Sequence, residues 1–497
     1  MTTRTGRTYR FGDSTRPGLV LGLSARQATP IVGGVLWLAA SLQTTLPAVV
    51  GVLGPVTGIA VAFGKWHGIP LAETVVPSMK LWLRRRAGRP RWVRQALLGT
   101  SGDESLPDVL AGLTALEVPA PWITGRTKGM AVIKDRSAGT VTAALRVHGR
   151  GFPLASTSEQ DLILNGWGGA LTSFARERCP VSRVVWQEWA HPIGSAAHRE
   201  FLEQSGTLTR HTPEADDYLA LLDQHAPAMV AHEVLVTVTV DQKRVRARRR
   251  NTGSRFDTAI DVLSDEVRLF GSRLEAAGLV VDGPLSPPEL ALAVRVRSDP
   301  TCAAQLDTAT RSLAAAAGRR GVEWGPMAVE PDWGHVRVDG SIHRTYRVAS
   351  WPQLPVAADW LGPLLTETRA TRTVCVVMEP VPMSRAARAA DREVMAREAD
   401  AEMKERKGFR VNAKERKRLV DVEARERELS EGHAEFRFVG LVDVAAPDLD
   451  ALDDAAEAVE QAAGQSLIDL RPVEARHDQG WVACLPLGRN VANRSTQ

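Results

Sequence analysis

The chain has 497 residues, of which 44% are hydrophobic and 24% are charged, and these values exclude a largely disordered or collagen-like protein. Its net charge of +4 hides an asymmetry, because residues 1–100 carry 13 basic and 2 acidic side chains while the remainder carries 49 basic and 56 acidic ones. The sequence pI of about 9.0 therefore belongs to the N-terminal part and is poor evidence for nucleic-acid binding by the rest.

The longest uncharged stretch runs from Gln27 to Gly64, 38 residues without Asp, Glu, Lys or Arg. Such a length matches two bilayer crossings of about 20 residues each. We predict a transmembrane helical hairpin with helices over 27–44 and 48–64; a hairpin buried in a soluble core is the alternative. Basic residues flank both ends, which predicts a multi-pass inner-membrane protein with both termini cytoplasmic.

An amphipathic stretch over 71–86 follows the predicted hairpin. Its apolar residues precede Arg84, Arg85 and Arg86, a mixture that favours an interfacial helix with its basic edge toward anionic lipid. A plain cytoplasmic helix is the alternative. We therefore assign residues 1–95 to a membrane anchor and 96–107 to a linker.

Residues 108–497 predict a multi-unit α+β cytoplasmic domain. Alternating apolar residues predict strands, and capping boxes at Ser156 and Ser286 predict helix starts. No internal repeat is visible in the sequence. A highly charged helical insertion over 384–431, split at Gly408 and Asn412, is predicted to be an exposed hairpin or a partner-binding arm. The predicted strands are 130–134, 140–147, 181–189, 232–240, 372–378, 435–444 and 480–485, and the main helices are 156–178, 255–277, 286–293 and 449–464.

Motifs for catalysis are missing from the sequence. It contains neither a phosphate-binding loop nor a Gly-x-Ser-x-Gly elbow, and His232-Glu233 lacks the second histidine of a zinc-protease helix. Glu188 lies between tryptophans, but the sequence names no partner for it. The four cysteines are scattered, which indicates isolated thiols of a reducing compartment. We predict no catalytic, cofactor-binding or metal-binding residue and no enzyme activity.

A basic loop over 243–255 contains Arg248, Arg249 and Arg250. It favours a solvated loop or one resting on anionic lipid, with docking to an acidic partner as the second interpretation. Contact with DNA is the least favoured, because no aromatic residues interleave with the arginines for base stacking.

Two parts of the chain resemble subunits of type IV secretion and conjugation machines. Residues 1–100 resemble PrgI-family two-helix membrane subunits, and residues from about 110 resemble the N-terminal, non-motor domain of TraC/TrbE-class ATPases. Fusion of the two is similar to what actinobacterial conjugation-like gene clusters encode. The first resemblance is carried by Tyr9-Arg10-Phe11-Gly12, Ala25-Arg26-Gln27, Gly68-Ile69-Pro70-Leu71 and Pro90-Arg91-Trp92. The second is carried by Gly151-Phe152-Pro153-Leu154, Glu289-Leu290, Gln479-Gly480-Trp481, Leu485-Pro486-Leu487-Gly488, Asn490 and Ala492-Asn493-Arg494.

The resemblance implies a scaffold subunit that docks a separate motor ATPase. In the family, the segment ending near Arg494 leads directly into the motor, so we expect Trp481, Leu485 and Leu487 to anchor the ATPase. Other membrane subunits are the further expected partners, within an oligomeric complex. A membrane-bound enzyme is the alternative, and a cluster of buried, partnered acids or histidines would favour it. A DNA-binding coupling protein would require basic residues converging on one groove.

Overall fold

In the computed structural model, thirteen strands of the described residues form one antiparallel sheet. The structure describes residues 25–44, 48–66, 69–88, 91–94, 106–120, 122, 129–149, 151–193, 195–205, 212–226, 229–245, 254–302, 324–406, 413–430 and 432–491. A two-stranded ribbon, β1 (Lys65–Trp66) with β2 (Ile69–Pro70), lies outside this sheet. The thirteen strands are β3 (Trp92–Val93), β4 (Leu113–Pro119), β5 (Gly129–Asp135), β6 (Thr140–His148), β7 (Val181–Pro192), β8 (Val230–Asp241), β9 (Val280–Pro284), β10 (Ala328–Pro331), β11 (Val336–Val338), β12 (Ser341–Ser350), β13 (Arg372–Val381), β14 (Glu435–Ala446) and β15 (Asp469–Pro472).

Helices precede the sheet, connect its strands and project from it. Two begin where the sequence predicts a cap: the Ser156 hydroxyl accepts a backbone N–H at the start of α4, and a capping box opens α8 at Ser286. A further capping box, at Ser254, opens α7. The α-helices of the described residues are α1 (Ala25–Leu42), α2 (Ala48–Phe63), α3 (Leu71–Arg86), α4 (Thr157–Thr172), α5 (Ala196–Ser205), α6 (Pro213–His225), α7 (Arg255–Ala276), α8 (Pro287–Ser298), α9 (Met383–Arg406), α10 (Ala413–Ser430), α11 (Leu449–Gln465) and α12 (His477–Ala483).

The body repeats one connection pattern. The first unit runs β4–β5–β6–α4–β7–α5–α6–β8–α7–β9–α8, and the second runs β10–β11–β12–β13–α9–α10–β14–α11–β15–α12, with a π-helical turn at Pro363–Glu367 in the place of α4. Their central strands lie in the orders β9-β6-β8-β7 and β15-β12-β14-β13. Both are the split β-α-β-β-α-β arrangement. The chain therefore contains a repeat of topology, although no internal repeat is visible in the sequence.

The two units join through antiparallel pairing of β7 with β13. Gln187 faces Cys375 at the centre of this junction. Helices α4, α7 and α11 pack on the same face of the sheet, which we call the helix face. An approximate two-fold axis, perpendicular to the sheet and passing between Gln187 and Cys375, therefore relates the units.

The opposite face, which we call the segment face, is covered by α8, α12 and the C-terminal residues. The central strands are thus buried on both sides, so that polar side chains such as Gln187 on β7 and Thr237 on β8 are buried as well. Trp186 contacts the apolar clusters of both units on the helix face. The core is therefore continuous across the junction.

The N-terminal residues form a helical pair, α1 against α2, with glycines at the contact. A Cβ on Gly34 would lie 2.6 Å from the carbonyl oxygen of Gly54, so only glycine permits this approach. Trp37 Nε1 also donates to the carbonyl oxygen of Val50 across the pair, at 3.1 Å.

The predicted membrane anchor is wrong. Within the described residues, no helix combines the length and the apolarity that a bilayer crossing requires. The second helix, α2, has 16 residues, or about 24 Å at 1.5 Å per residue, against a hydrocarbon core of about 30 Å. The α+β part of the predicted fold class stands, whereas the transmembrane hairpin, its topology and the inner-membrane localisation do not.

Three further differences concern boundaries. The predicted last strand, 480–485, is instead the end of helix α12 and the turns after it. Strand β3, inside the predicted anchor, pairs with β10 and so belongs to the large sheet. Most of the predicted linker, 95–105, lies outside the described residues. The charged insertion is confirmed as two helices, α9 and α10.

Candidate partner-docking site

The C-terminal segment, residues 484–490, crosses the segment face at the approximate two-fold axis. The side-chain amide of Gln187 donates to the carbonyl oxygen of Leu485 at 2.9 Å. The thiol of Cys375 donates to the carbonyl oxygen of Ala483, just before the segment, at 3.6 Å. The two residues at the centre of the β7–β13 junction therefore hold the same stretch of chain from either side of the axis.

The end of the segment is fixed by charged side chains of the first unit. Arg489 donates to the Asp135 carboxylate at 3.0 Å and to the carbonyl oxygens of Val109 and Ala111. Burial alone would raise the pKa of Asp135, but the Ser137 hydrogen bond and the Arg489 charge outweigh it, and the pKa is lowered. The ion pair is therefore formed at neutral pH.

The second unit contributes to the same end of the segment. Asn490 donates to the Glu379 carboxylate at 3.4 Å, and the Arg183 guanidinium bridges this carboxylate to the carbonyl oxygen of Gly488. Gly488 has a φ of +70° and lies against Thr142 and Thr239, where a side chain has no room. The chain thus leaves the sheet at one defined place, between both units.

The side chains predicted as partner anchors are buried. Trp481 is 0% exposed, Leu485 1% and Leu487 2%, and all three belong to one apolar cluster with α8 and strands of both units. In this conformation they stabilise the chain itself and do not form an exposed surface. Their role in binding a partner stays a prediction. Arg248, Arg249 and Arg250 lie outside the described residues.

A buried polar network joins α12 to the sheet. Thr345 donates its backbone N–H to His477 Nδ1 at 3.1 Å and its hydroxyl to Asp443 at 2.8 Å. His343 Nδ1 is 2.8 Å from the other Asp443 oxygen, and His343 Nε2 is 2.9 Å from the carbonyl oxygen of Ser298. All four side chains of the network are buried. It therefore ties β12, β14, α8 and α12 together.

The hydrogen bonds of His343 specify its charge. The Ser298 carbonyl and the Asp443 carboxylate are both acceptors, so both ring nitrogens carry a proton and the ring is an imidazolium. Burial acts to lower the pKa of His343, but the Asp443 charge and these hydrogen bonds outweigh it and raise the pKa. His343 and Asp443 are therefore a buried ion pair.

This network contains the buried, partnered acids and histidines that would favour an enzyme, but its geometry does not provide a nucleophile. The Thr345 hydroxyl donates to the Asp443 carboxylate, but both side chains are buried, so a substrate cannot reach the hydroxyl in this conformation. The imidazolium of His343 already donates both of its protons to the protein. The arrangement stabilises the fold, and the sequence analysis missed it because polar residues at 341, 343 and 345 alternate in the way an exposed face does.

Glu188 and the His232-Glu233 pair, both noted in the sequence, form side-chain contacts in the structure. Glu188 is buried on the helix face and accepts from His232 Nδ1 at 2.5 Å. Glu233 pairs with Arg297 at 2.7 Å and Arg146 at 3.0 Å. These contacts lie between neighbouring elements of the first unit, which is typical of structural ion pairs.

The cysteines remain free thiols in the structure. Burial raises the pKa of the Cys484 thiol, and the neighbouring thiol of Cys375 adds to the effect. In the part of the chain that the structure describes, no three His, Cys, Asp or Glu side chains are grouped so that they could hold a metal ion.

Helix α3 contacts the body through its basic end. Arg84 lies 3.4 Å from Asp478 on α12 and 3.5 Å from Asp108, and Arg85 lies 2.6 Å from Asp332. These are arginines that we expected to face anionic lipid. The N-terminal helical module, α1–α3, is therefore joined to the elements that carry the C-terminal segment.

The helical module exposes a large apolar surface. Monomeric proteins rarely expose apolar patches beyond a few hundred Å², and larger ones mark sites of association. Association of the helical module with other proteins stays a prediction. Its exposed apolar side chains include Val32, Val35, Leu36, Trp37, Val49, Val52, Leu53, Val56, Ile59, Phe63, Val76, Met79, Trp82 and Leu83.

Equivalent helical insertions project from the two units. Helices α5 and α6 connect β7 to β8, and helices α9 and α10 connect β13 to β14. Because β7 and β13 are antiparallel, the two insertions emerge at opposite ends of the junction. Each exposes apolar side chains: Phe201 and Leu221 on the first insertion, and Met395 and Val420 on the second. The contacts that such arms form with other proteins stay a prediction.

Close contact between α12 and β12 gives a first testable prediction. A Cβ at Gly480 would lie 2.7 Å from the Cβ of Thr345 and 2.8 Å from its hydroxyl oxygen. We expect Gly480→Ala to lower the free energy of unfolding by about 1–3 kcal/mol through overpacking. Gly464→Ala is the matched control, because nothing lies within 4 Å of its Cβ position, and it should gain about 0.5–1 kcal/mol. Urea unfolding of both variants tests this; equal midpoints would contradict it.

Comparison of the chain with models of known protein families and with curated proteins gives no match, so the assignment of a function depends on the residues and geometry described above.

Proposed function

We propose that this chain is a non-catalytic scaffold subunit of a type IV secretion-like or conjugation apparatus, and that it docks a separate motor ATPase where its C-terminal segment leaves the sheet. The observation that carries the proposal is the clamp on residues 488–490. The family resemblance implies that a motor follows this segment, and here Arg489 and Asn490 fix it to both units. A motor seated at this place has a fixed orientation relative to the body.

Three features support a role in assembly. Many apolar side chains of the helical module are exposed, which favours contact with other subunits of the apparatus. Each unit carries a projecting pair of helices. The buried histidines and acids serve as internal hydrogen-bond partners.

A motor that is a separate protein must bind without the help of a covalent tether. A short tether supplies an effective concentration in the millimolar range, so a free motor has to recover that advantage through its interface. We therefore expect a contact area of about 1,600 Å² or more. Since Trp481, Leu485 and Leu487 are buried, the area is provided by the surface around the exit of the segment and by neighbouring loops.

Site-specific photo-crosslinking tests the proposed docking place. Ala138 is exposed on the β5–β6 turn beside Ser137, whose hydroxyl lies 3.5 Å from Arg489. Asp454 is exposed on α11, on the opposite face of the sheet, and serves as the control position. With a photoreactive residue in the full chain in its native host, position 138 should crosslink a protein containing a phosphate-binding loop, and position 454 should not.

The identity of the crosslinked protein decides the outcome. A motor ATPase crosslinked at 454 or on the helical insertions, and absent at 138, contradicts the proposed place. Isolation of the intact apparatus without any crosslink to a motor ATPase at 138 contradicts the scaffold function itself. Saturable ATP binding by the purified chain would instead support the enzyme alternative.

A further inference from the structure

Helix α12 connects the helical module to the C-terminal segment. The helix spans only His477–Ala483, and the segment follows it directly. At its first turn, Asp478 faces Arg84 of α3; along its length, the helix lies against β12. The Arg84–Asp478 contact therefore lies on α12, the helix that positions the segment.

The Arg84–Asp478 pair has unequal surroundings. The Asp478 side chain is 4% exposed and that of Arg84 is 40% exposed. Burial raises the pKa of Asp478, and the Arg84 charge and the Gln479 backbone N–H offset only part of this effect. Loss of Arg84 would leave a buried carboxylate without its counter-charge, which is a costly state. The contact is thus able to destabilise α12 when α3 is not seated.

A second contact from α3 reaches the same place. Arg85 pairs with Asp332 at 2.6 Å, and the next residue, Trp333, accepts the backbone N–H of Ala475 at 2.8 Å. Ala475 lies two residues before α12 and has a φ of +58°, so the chain turns sharply here into the helix. Arg84 and Arg85 of α3 therefore both contact residues next to α12 or within it.

The network beyond α12 is rigid and leads to the segment. His477 accepts the Thr345 N–H, Gly480 has no spare space against Thr345, and Trp481 is buried. The segment then continues over Gln187 and Cys375. Because these contacts leave no free space around α12, a displacement of α12 also moves the segment.

We propose that the seating of α3 controls the stability of the C-terminal segment through Arg84, Asp478 and α12, so that engagement of the helical module in an assembly and docking at the segment are energetically coupled. The first part, coupling of α3 to the segment, stands on the contacts above; its meaning for docking rests on the proposed function. Coupling between sites typically changes an equilibrium about 5–150-fold.

Hydrogen exchange on the full chain tests this coupling without any partner. We expect Arg84→Ala to speed exchange of backbone amides in residues 484–490 by a factor within the range of about 5–150. The control is Arg86→Ala on the same turn, because Arg86 contacts only the ring of Trp82 on its own helix among the described contacts; it should leave these amides unchanged. Exchange in α7, which packs on the opposite face of the sheet from the segment, should be equal in all variants.

A double variant separates coupling from general damage. The substitution Asp478→Asn removes the buried charge that Arg84 neutralises. Adding it to Arg84→Ala should therefore restore slow exchange of the backbone amides in residues 484–490. If Arg84→Ala leaves exchange in residues 484–490 unchanged, or accelerates exchange in α7 by the same factor, the coupling is overturned. The crosslinking at position 138 tests docking separately, so either result can fail without the other.

Discussion

Replacing Asp443 with alanine should lower the free energy of unfolding by about 3–5 kcal/mol, the range for breaking a buried ion pair by removing one partner. Asp443 accepts from Thr345 and from the imidazolium of His343, and all three side chains are buried at the junction of β12 and β14. The variant leaves His343 charged without a counter-ion, or forces it to lose the Nδ1 proton whose acceptor has been removed. Urea unfolding measures the loss.

The control for this variant is Asp454→Ala, an exposed carboxylate on α11, which should change the free energy of unfolding by less than about 0.5 kcal/mol. A loss of less than 1 kcal/mol in Asp443→Ala would show that the pair contributes no net stability.

The same measurement repeated against pH has an expected sign. The pKa of His343 is raised in the folded chain, so the contribution of its charge is fully present below the unfolded value of about 6.5. It is lost as the pH rises through the folded value. The stability difference between the natural chain and Asp443→Ala should therefore be largest below pH 6.5 and should shrink above the folded pKa. A difference that grows with pH would contradict the assignment of an imidazolium.

Local signals predicted much of the body. The hairpin of β5 and β6, the cap at Ser156 and the two charged helices lie within a few residues of their expected bounds. Each depends on contacts between residues close in sequence, which propensity and periodicity describe. The duplication was not visible, because it is carried by strand order and register and the two units share no evident sequence pattern.

Sequence patterns gave a wrong secondary structure where contacts between residues distant in sequence determine it. Residues 481–485 form a short apolar run that predicts a strand, yet residues 477–483 form a helix because α12 packs on β12 with Gly480 at the contact. A short apolar run does not distinguish a strand from a buried helix. In the charge-free stretch the helices expected over 27–44 and 48–64 correspond closely to α1 and α2, but among the described residues neither is long and apolar enough to cross a bilayer.

The candidate site was predicted in part. The resemblance pointed to the C-terminal residues, and the structure places them at the axis between two units. What the sequence could not indicate is that Trp481, Leu485 and Leu487 face inward, because exposure depends on the sheet they cover. Gln187 and Arg489, which hold the segment, belong to no motif, and only the fold brings them to it.

Replacing Trp481 with alanine is the second change for which we expect a large effect. Trp481 is among the largest fully buried side chains and packs with α8, Leu485 and Leu487. Truncation of a buried tryptophan costs about 3–5 kcal/mol. Phenylalanine should cost less than about 1.5 kcal/mol, because the indole Nε1 has no hydrogen-bond partner among the described residues. Leu154→Ala, at a position 93% exposed, is the control and should change little.

The pair of Trp481 variants also separates an internal role of this residue from direct contact with a motor. If Trp481 acts only inside the fold, Trp481→Phe should keep the crosslink from position 138 to the motor ATPase, and Trp481→Ala should lose it in proportion to the unfolded fraction measured by circular dichroism. If Trp481 is itself an anchor, Trp481→Phe should weaken the crosslink while the chain stays folded. That second result would show that the C-terminal segment leaves the sheet when the motor binds, since a side chain with no exposed surface cannot otherwise reach a partner.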